Sequence, residues 1–246
     1  MNRIVNSIEA KDIENHFHPY TNPQVLKETG PHVICRGEGI YVYDNSNTKF
    51  IEGMSGLWCA SLGFNNKDLV EAATKQMEKL PFYHSFAGKV PEVAANLSEK
   101  LVGIAPAGLD KVFFCNSGAE ANELAFKIAR KATSKGRYTV LTATDSFHGR
   151  TLAALAACGQ PHKHEPFAPM PQGFTHIARG DIEALNGAVD ETTAAVHLEP
   201  ILGEGGVWPH TSDYLSKAES LTREHGLLFM VCLLYTSPSP RDQRGS

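Results

Sequence analysis

From Lys67 onward apolar residues recur at helical spacing: Leu69, Val70, Ala73, Met77 and Leu80 share one face. Asn66 stands ahead of them as a capping residue and Pro81 follows as a stop, so the pattern predicts an amphipathic helix. A second helix is predicted from Pro91, with Ala94, Leu97 and Leu101 directed inward. Ahead of both an irregular lead is followed by a strand-like pattern. Runs at 32–35, 39–43 and 48–52, with the turn Asp44-Asn45-Ser46-Asn47 before the third, predict a small β-meander. Beyond residue 110 strands and helices alternate. Apolar runs at 111–115, 138–142, 174–177, 194–198 and 227–231 read as strands. Helical patterns lie between them: Ala121, Leu124, Ala125, Ile128, Ala129 and Ala132, a short one from Thr151, then 181–189 and 212–224. Such alternation predicts right-handed crossovers and a doubly wound, mostly parallel sheet, which takes its ligands beyond the carboxyl ends of its strands. The loops after 115, 142, 198 and 231 are therefore the places for chemistry.

The expected organisation is an N-terminal segment with the meander over 1–60 and part of a large α/β domain over 61–231. Residues 232–246, CLLYTSPSPRDQRGS, break the alternation directly after an apolar strand. They resemble a translated sequencing adapter and are set apart from the fold as a non-native tail.

Composition narrows the function. The 246 residues are 42% hydrophobic and 20% charged, which excludes a disordered or collagen-like chain. The 23 basic residues against 27 acidic ones leave a net charge of −4, so no overall positive field attracts nucleic acid or an anionic membrane, and the expected partner is a small molecule. No apolar run approaches the roughly 18 residues of a membrane span. Residues 1–12 lack the apolar stretch of a signal peptide, and the expected location is cytoplasmic. Cys35, Cys59, Cys115, Cys158 and Cys232 are odd in number and without CxxC spacing, which predicts reduced, mostly buried thiols.

Three loops carry candidate chemistry. In Phe113-Phe114-Cys115-Asn116-Ser117-Gly118-Ala119-Glu120 a strand pattern stops at small residues that open a long helix. The N–H groups of a first helical turn are unpaired and partly positive, and Gly118 and Ala119 offer an anion little obstruction. Ser117 adds a hydroxyl. Spacing alone weighs this evenly against a simple helix cap at Asn116 or Ser117. In Ser146-Phe147-His148-Gly149-Arg150-Thr151 an aromatic ring could stack on a planar group and Arg150 could bind a carboxylate, though by itself the motif reads as core plus solvated surface. Glu199-Pro200-Ile201-Leu202-Gly203-Glu204-Gly205-Gly206 would hold the Glu199 carboxylate at a strand end, or is an ordinary glycine-rich loop. The pairs His16/His18 and His162/His164 have metal-like spacing but no third ligand at a recognisable spacing, so no metal is expected. GxGxxG, GxxxxGK[ST] and GxSxG do not occur, which argues against a Rossmann dehydrogenase, a P-loop ATPase and an α/β-hydrolase.

In their order and spacing, NSGAEANELAFKIAR at 116–130, SFHGRT at 146–151, LEPILGEGG at 198–206 and EHGLLFMV at 224–231 resemble the class III aminotransferases, over residues 15–231. These are fold-type I enzymes that use pyridoxal 5′-phosphate. The resemblance implies that Ser117, Gly118 and Ala119 hold the cofactor phosphate, and that Phe147, with His148 beside it, lies against the pyridine ring. Glu199 matches a carboxylate beside cofactor and substrate, while Leu202 stands where many members have glutamine. Trp58 and Tyr20 match walls of the substrate pocket in the ω-amino-acid branch. The implied reaction moves an amino group from an amine, ω-amino acid or N-acetylornithine-like donor to a 2-oxo acid. The implied assembly is a homodimer, with 53–64 a candidate for part of its interface.

Two features depart from the family. NHFHPYTNP and GLWCASLGFNNKDL look like ω-amino-acid:pyruvate transaminases, whereas SFHGRT and LEPILGEGG look like acetylornithine or ornithine transaminases. More seriously, Cys232 stands where the family has the aspartate that pairs with the pyridinium nitrogen. The Schiff-base lysine is expected further downstream, yet the last lysine of the chain is Lys217. The resemblance therefore implies an N-terminal fragment without the catalytic lysine, the aspartate or most of the small C-terminal domain. A non-catalytic remnant that binds phosphate or cofactor, and an aminomutase or decarboxylase of the same fold, are the rival readings.

Overall fold

The structure, a computed structural model, describes residues 6–233. Most of the proposed tail, 234–246, thus lies outside the described residues. The chain divides into two compact units, one ending at Gly103 and one starting at Ile104.

Where the sequence reads as an irregular lead, the first unit opens with helices α1 (Ile8–Asn15) and α2 (Pro23–Thr29), both too short for a clear apolar period and set by their caps. Ser7 caps α1, and Asn22 caps α2 with Pro23 in its first turn. Strands β1 (Ile34–Glu38), β2 (Tyr41–Asp44) and β3 (Lys49–Ile51) then form the antiparallel meander, in the order β1-β2-β3. The Asp44 carboxylate closes its second turn by accepting from the N–H groups of Ser46 and Thr48 at 2.9 and 2.7 Å. A single turn α3 (Ser55–Trp58) has positive φ at Ser55, Gly56, Leu57 and Trp58, a left-handed run that costs energy at its non-glycine positions. Helices α4 (Lys67–Lys79) and α5 (Glu92–Ile104) follow, with Asn66 accepting from Leu69 N–H at 3.2 Å as the predicted cap. The inward direction expected for their apolar stripes is not observed. Neither helix buries a residue, and Met77 and Leu97 are 67% and 47% exposed, because no described residue packs over these faces.

The second unit contains α6 (Gly118–Ala132), β4 (Thr139–Ala143), α7 (Leu152–Ala157), the single turn α8 (Pro161–His164), β5 (Phe174–Ile177), α9 (Ile182–Gly187) and β6 (Thr193–Leu198). The short pair β7 (Ile201–Leu202) and β8 (Trp208–Pro209), helix α10 (Ser212–Glu224) and strand β9 (Leu228–Val231) complete it. The main sheet runs β5-β4-β6-β9 and all its neighbours are parallel. Every residue of β4 and β6 is buried, as a parallel sheet covered on both faces requires. On one face Leu141, Ile177, Val196 and Leu198 pack with Leu185 of α9 and Tyr214, Ala218 and Leu221 of α10. On the other, Val140, Ala194 and Ala195 pack with Phe126 and Ala129 of α6 and Ala157 of α7. This is an α/β protein with a parallel sheet between helical layers.

Two expectations fail locally. Residues 111–115 form no strand, and Phe113 and Phe114 are 71% and 46% exposed. A strand exists only through pairing, and no described strand lies alongside this segment. Of the five cysteines only Cys158 is buried, Cys35 and Cys59 being exposed.

Candidate functional site

Three loops meet beyond the carboxyl ends of β4 and β6 and the N-terminus of α6. Ser117 caps α6, its hydroxyl accepting from Glu120 N–H at 3.2 Å, while the Glu120 carboxylate accepts from the Asn116 N–H at 2.9 Å, a variant of the reciprocal capping box. The N–H groups of Gly118 and Ala119, the first two of the helix, have no hydrogen-bond partner in the described chain and are left at its positive end.

The 146–151 loop lies on this turn. Gly149 has φ 139°, and a side chain there would strike Ala119, with the added carbon 2.7 Å from its Cβ and 2.9 Å from its Cα. Close approach of the two loops requires glycine here. Two bonds fasten the contact: Asn122 Nδ2 donates to the His148 carbonyl at 2.6 Å, and the Thr151 hydroxyl donates to Glu123 at 2.5 Å. Behind the loop, Gly159 sits so tightly against β4 that an added carbon would lie 2.1 Å from the Ala143 carbonyl oxygen.

Glu199, at the end of β6, is 3% exposed and joins the third loop to the second. Its Oε1 accepts from Phe147 N–H at 2.7 Å and its Oε2 from Gly203 N–H at 3.2 Å. Burial pushes its carboxyl up to about 7; the two N–H bonds oppose that rise and the Glu204 charge adds to it. Phe147 is half-buried, with Lys163 Nζ 5.0 Å from its ring centroid, and Lys163 is ion-paired with Glu204. Arg150 lies at the exposed edge of the same loop.

Two buried imidazoles, one of them next to Phe147 in the chain, pack together and form a floor. His148 and His197 are 2% and 1% exposed, their rings 4.3 Å apart, and no well-formed hydrogen bond reaches their four ring nitrogens among the described residues, the Met230 backbone making only a weak contact to His197. Burial lowers His148 well below the usual imidazole range and takes His197 to about 4, so both are neutral at pH 7. Cys232 ends β9 at this floor. Asn122 Nδ2 lies 3.6 Å from its sulfur, which is within 4.8 Å of a nitrogen of each histidine. The position that the family resemblance gives to aspartate therefore meets two buried rings whose nitrogens lack well-formed hydrogen bonds.

Sequence reasoning missed His197 and Asn122. His197 is hidden inside the apolar run 194–198, and only its being the one polar ring in a strand buried on both faces marks it. Asn122 stands four residues before Phe126 and seven before Ala129, on the buried face of α6, where a polar residue is out of pattern. Tyr20 and Trp58 belong to the first unit, both on left-handed backbone (φ 50° and 65°), and are 71% and 40% exposed. Lys217 lies on α10, 2.8 Å from Asp213.

A parallel sheet with an anion-ready helix end, an aromatic loop and a buried carboxylate at its strand ends defines the large-domain architecture of fold-type I pyridoxal-phosphate enzymes. The family model "Aminotransferase class-III" matches residues 24–232, and the chain belongs to that family, whose members use pyridoxal phosphate, an amino donor and a 2-oxo acid. It is 42% identical over 204 residues to an acetylornithine aminotransferase of Mycobacterium tuberculosis, covering 82% of this chain and 50% of the relative. The acetylornithine aminotransferase of Corynebacterium efficiens is 41% identical over 219 residues, covering 85% and 54%. Among solved structures, the ω-transaminase of Pseudomonas jessenii in complex with PMP superposes with TM-score 0.86 at 35% identity, covering 91% of this chain and 55% of that one. An (S)-enantioselective ω-transaminase from Thermomicrobium roseum gives 0.87 at 33%, with the same coverage. The chain spans about half the length of these relatives. Among the described residues no helix is long and apolar enough to cross a membrane.

Proposed function

We propose that this chain is the cofactor-binding part of a transaminase that moves an amino group from an N-acetylornithine-like or ω-amino donor to a 2-oxo acid. One observation carries the reading: the 146–151 loop is pressed on the free first turn of α6 at Gly149 and held from its other side by Glu199 accepting from Phe147 N–H. In this reading the Gly118 and Ala119 N–H groups and the Ser117 hydroxyl hold the phosphate of pyridoxal phosphate. Phe147 supplies an apolar face for the ring, and His148 backs it. Glu199, half-protonated near neutrality, keeps a carboxyl beside the reacting end, where it can hold or release a proton or pair with a substrate cation. Arg150, Tyr20 and Trp58 are assigned to substrate. The bound cofactor supplies an electron-withdrawing ring that acidifies the C–H bond beside the substrate nitrogen. The 42% match to an acetylornithine enzyme and the SFHGRT loop favour that donor class; the Trp58 segment favours ω-amino acids, and the structural neighbours are ω-transaminases. The complete enzyme is read as a homodimer.

Cys232 and the surface position of Lys217 favour a second reading for the 246-residue chain itself, binding without turnover. With no carboxylate at 232 the ring nitrogen is not held protonated, a loss of several kcal/mol in transition-state stabilisation by analogy with other electrostatic stabilisers. The test compares this chain with one in which Val231 is followed by the C-terminal half of a class III aminotransferase, carrying the aspartate and the lysine that the resemblance implies. Amino transfer from N-acetylornithine and a panel of ω-amino acids to pyruvate and 2-oxoglutarate is expected only from the longer chain, and Cys232→Asp alone restores nothing. Comparable turnover by both chains refutes the fragment reading. Amide shifts at Gly118 and Ala119 on adding pyridoxal phosphate or phosphate are expected from either chain, and their absence refutes the assigned cradle.

A further inference from the structure

The spacing Asp12-x3-His16-x-His18 crosses the end of α1, and both halves of it bring side chains together. Within the helix, Asp12 and His16 are four residues apart and share a face. His16 is the C-cap and leaves the helix extended (φ −113°, ψ 124°), so His18, two residues on, returns to the same side. The result is a compact trio. Asp12 Oδ1 is 2.8 Å from His16 Nδ1, Asp12 Oδ2 is 2.7 Å from His18 Nε2, and the two rings are 4.2 Å apart. The three ligand atoms all lie within 4.8 Å of one another.

We propose that Asp12, His16 and His18 form a binding site for a divalent transition-metal ion of the zinc class, independent of the transaminase reading. Spacing alone offered His16 and His18 no third ligand; the fold supplies Asp12. Ligand atoms around a tetrahedral zinc ion with bonds of about 2.0–2.1 Å are about 3.3 Å apart. The two nitrogen–oxygen separations here are shorter than that by about half an ångström and run to different carboxylate oxygens, so exchanging the shared protons for one ion needs the rings to move outward from Asp12 and converge on a common point, with all ligand atoms starting within 4.8 Å of one another. The donor set, two imidazoles and a carboxylate, selects zinc, cobalt, nickel or copper over magnesium or calcium, which prefer all-oxygen cages. The surroundings suit a cation. The trio sits at a helix C-terminus, where the last carbonyls are partly negative, and His16 and His18 border a cavity of about 350 Å³ whose lining includes Glu14 and Asn15 as well as Lys27.

The experiment uses the full 246-residue chain without an affinity tag, stripped with chelator and titrated with Zn(II) and with Co(II). One ion per chain is expected, with a cobalt spectrum of nitrogen and oxygen ligands and no thiolate-to-metal band, which separates this site from Cys35 and Cys59. His18→Gln keeps the bulk and a hydrogen bond to Asp12 but is a poor ligand; it and Asp12→Ala are expected to weaken binding roughly tenfold or more. Zinc is expected to raise the melting temperature of the parent chain and not of His18→Gln. Absence of stoichiometric binding, a thiolate band, or affinity unchanged in both variants overturns the proposal. In each case the trio is a hydrogen-bonded clamp on the end of α1 and nothing more. None of these readouts depends on amino transfer.

Discussion

At Glu199 burial and hydrogen bonding pull the carboxyl in opposite directions, and burial wins. Its folded pKa of about 7 stands above the ordinary value near 4.5, so the folded chain holds this proton more tightly than the unfolded one. Its contribution to stability is full below about 4.5 and is lost as pH rises through 7. His197 has the opposite sign. Its folded pKa of about 4 lies below the ordinary 6.5, so its contribution is full above 6.5 and is lost as pH falls towards 4; His148 acts in the same direction. Between about pH 5 and 6.5 the carboxyl and the imidazoles therefore offset one another. Glu199→Gln removes one side of that balance. The acid-side loss of stability is expected to steepen by about one proton, or about 1.4 kcal/mol per pH unit. Urea unfolding of parent and variant across that range measures it, and equal slopes would show that Glu199 titrates as an ordinary carboxylate. Glu199 itself was legible as a candidate from its place after a strand and before a glycine-rich turn. Its proton affinity was not, because that comes from burial under neighbours distant in sequence and from the Glu204 charge, against the opposing pull of the Phe147 and Gly203 N–H groups.

Among the elements, α6 joins stability to the candidate site through its first turn. Ser117→Ala removes the hydroxyl that accepts from Glu120 N–H and is expected to cost about 1 kcal/mol. The same change is expected to weaken phosphate binding, whereas Thr133→Ala, at the other end of α6, leaves phosphate binding unchanged. Denaturant midpoints and phosphate titration separate the two effects. Gly159→Ala tests the packing of the 146–151 loop. An added carbon 2.1 Å from the Ala143 oxygen and 2.6 Å from Thr144 Cα meets backbone that cannot yield, so a loss of about 3 kcal/mol or more is expected by thermal melting. The helices α4 and α5 teach the reverse lesson. The apolar periodicity of α4 is as clear as that of α6 and that of α5 is weaker, yet both predicted only the helices' existence, because a stripe specifies a helix that could be buried and says nothing of what covers it.

For the whole molecule, uncovered apolar surface is the dominant feature. Met77 and Phe82 in the first unit are 67% and 80% exposed, and Ile104 and Phe113 in the second are 80% and 71% exposed. Exposed apolar side chains in this number carry a standing drive to associate. Sedimentation velocity at micromolar concentration is expected to find species heavier than the 26.8 kDa monomer, and lowering the temperature is expected to favour the monomer as the hydrophobic contribution weakens. A sharp monomer boundary at all temperatures would show these faces to be covered in solution.

The cap at Asn66, Ser117 as one of two candidate caps, the alternation that builds the parallel sheet and the family were determined by the sequence alone, because each rests on short-range spacing; helices α1 and α2, the β7–β8 pair and the cap at Asp181 were not read from it. Side-chain periods of 2 and 3.6 and a capping hydroxyl are properties of a few neighbouring residues, readable without knowing where the chain goes. What only the tertiary structure decided are the meetings between distant residues: Gly149 on Ala119, Glu199 on Phe147, and His148 with His197 at Cys232. It decided against a strand at 111–115 for the same reason, since a strand is made by its partner and not by its own apolar run. Burial, proton affinity and pairing belong to surroundings assembled by folding, and no local pattern encodes them.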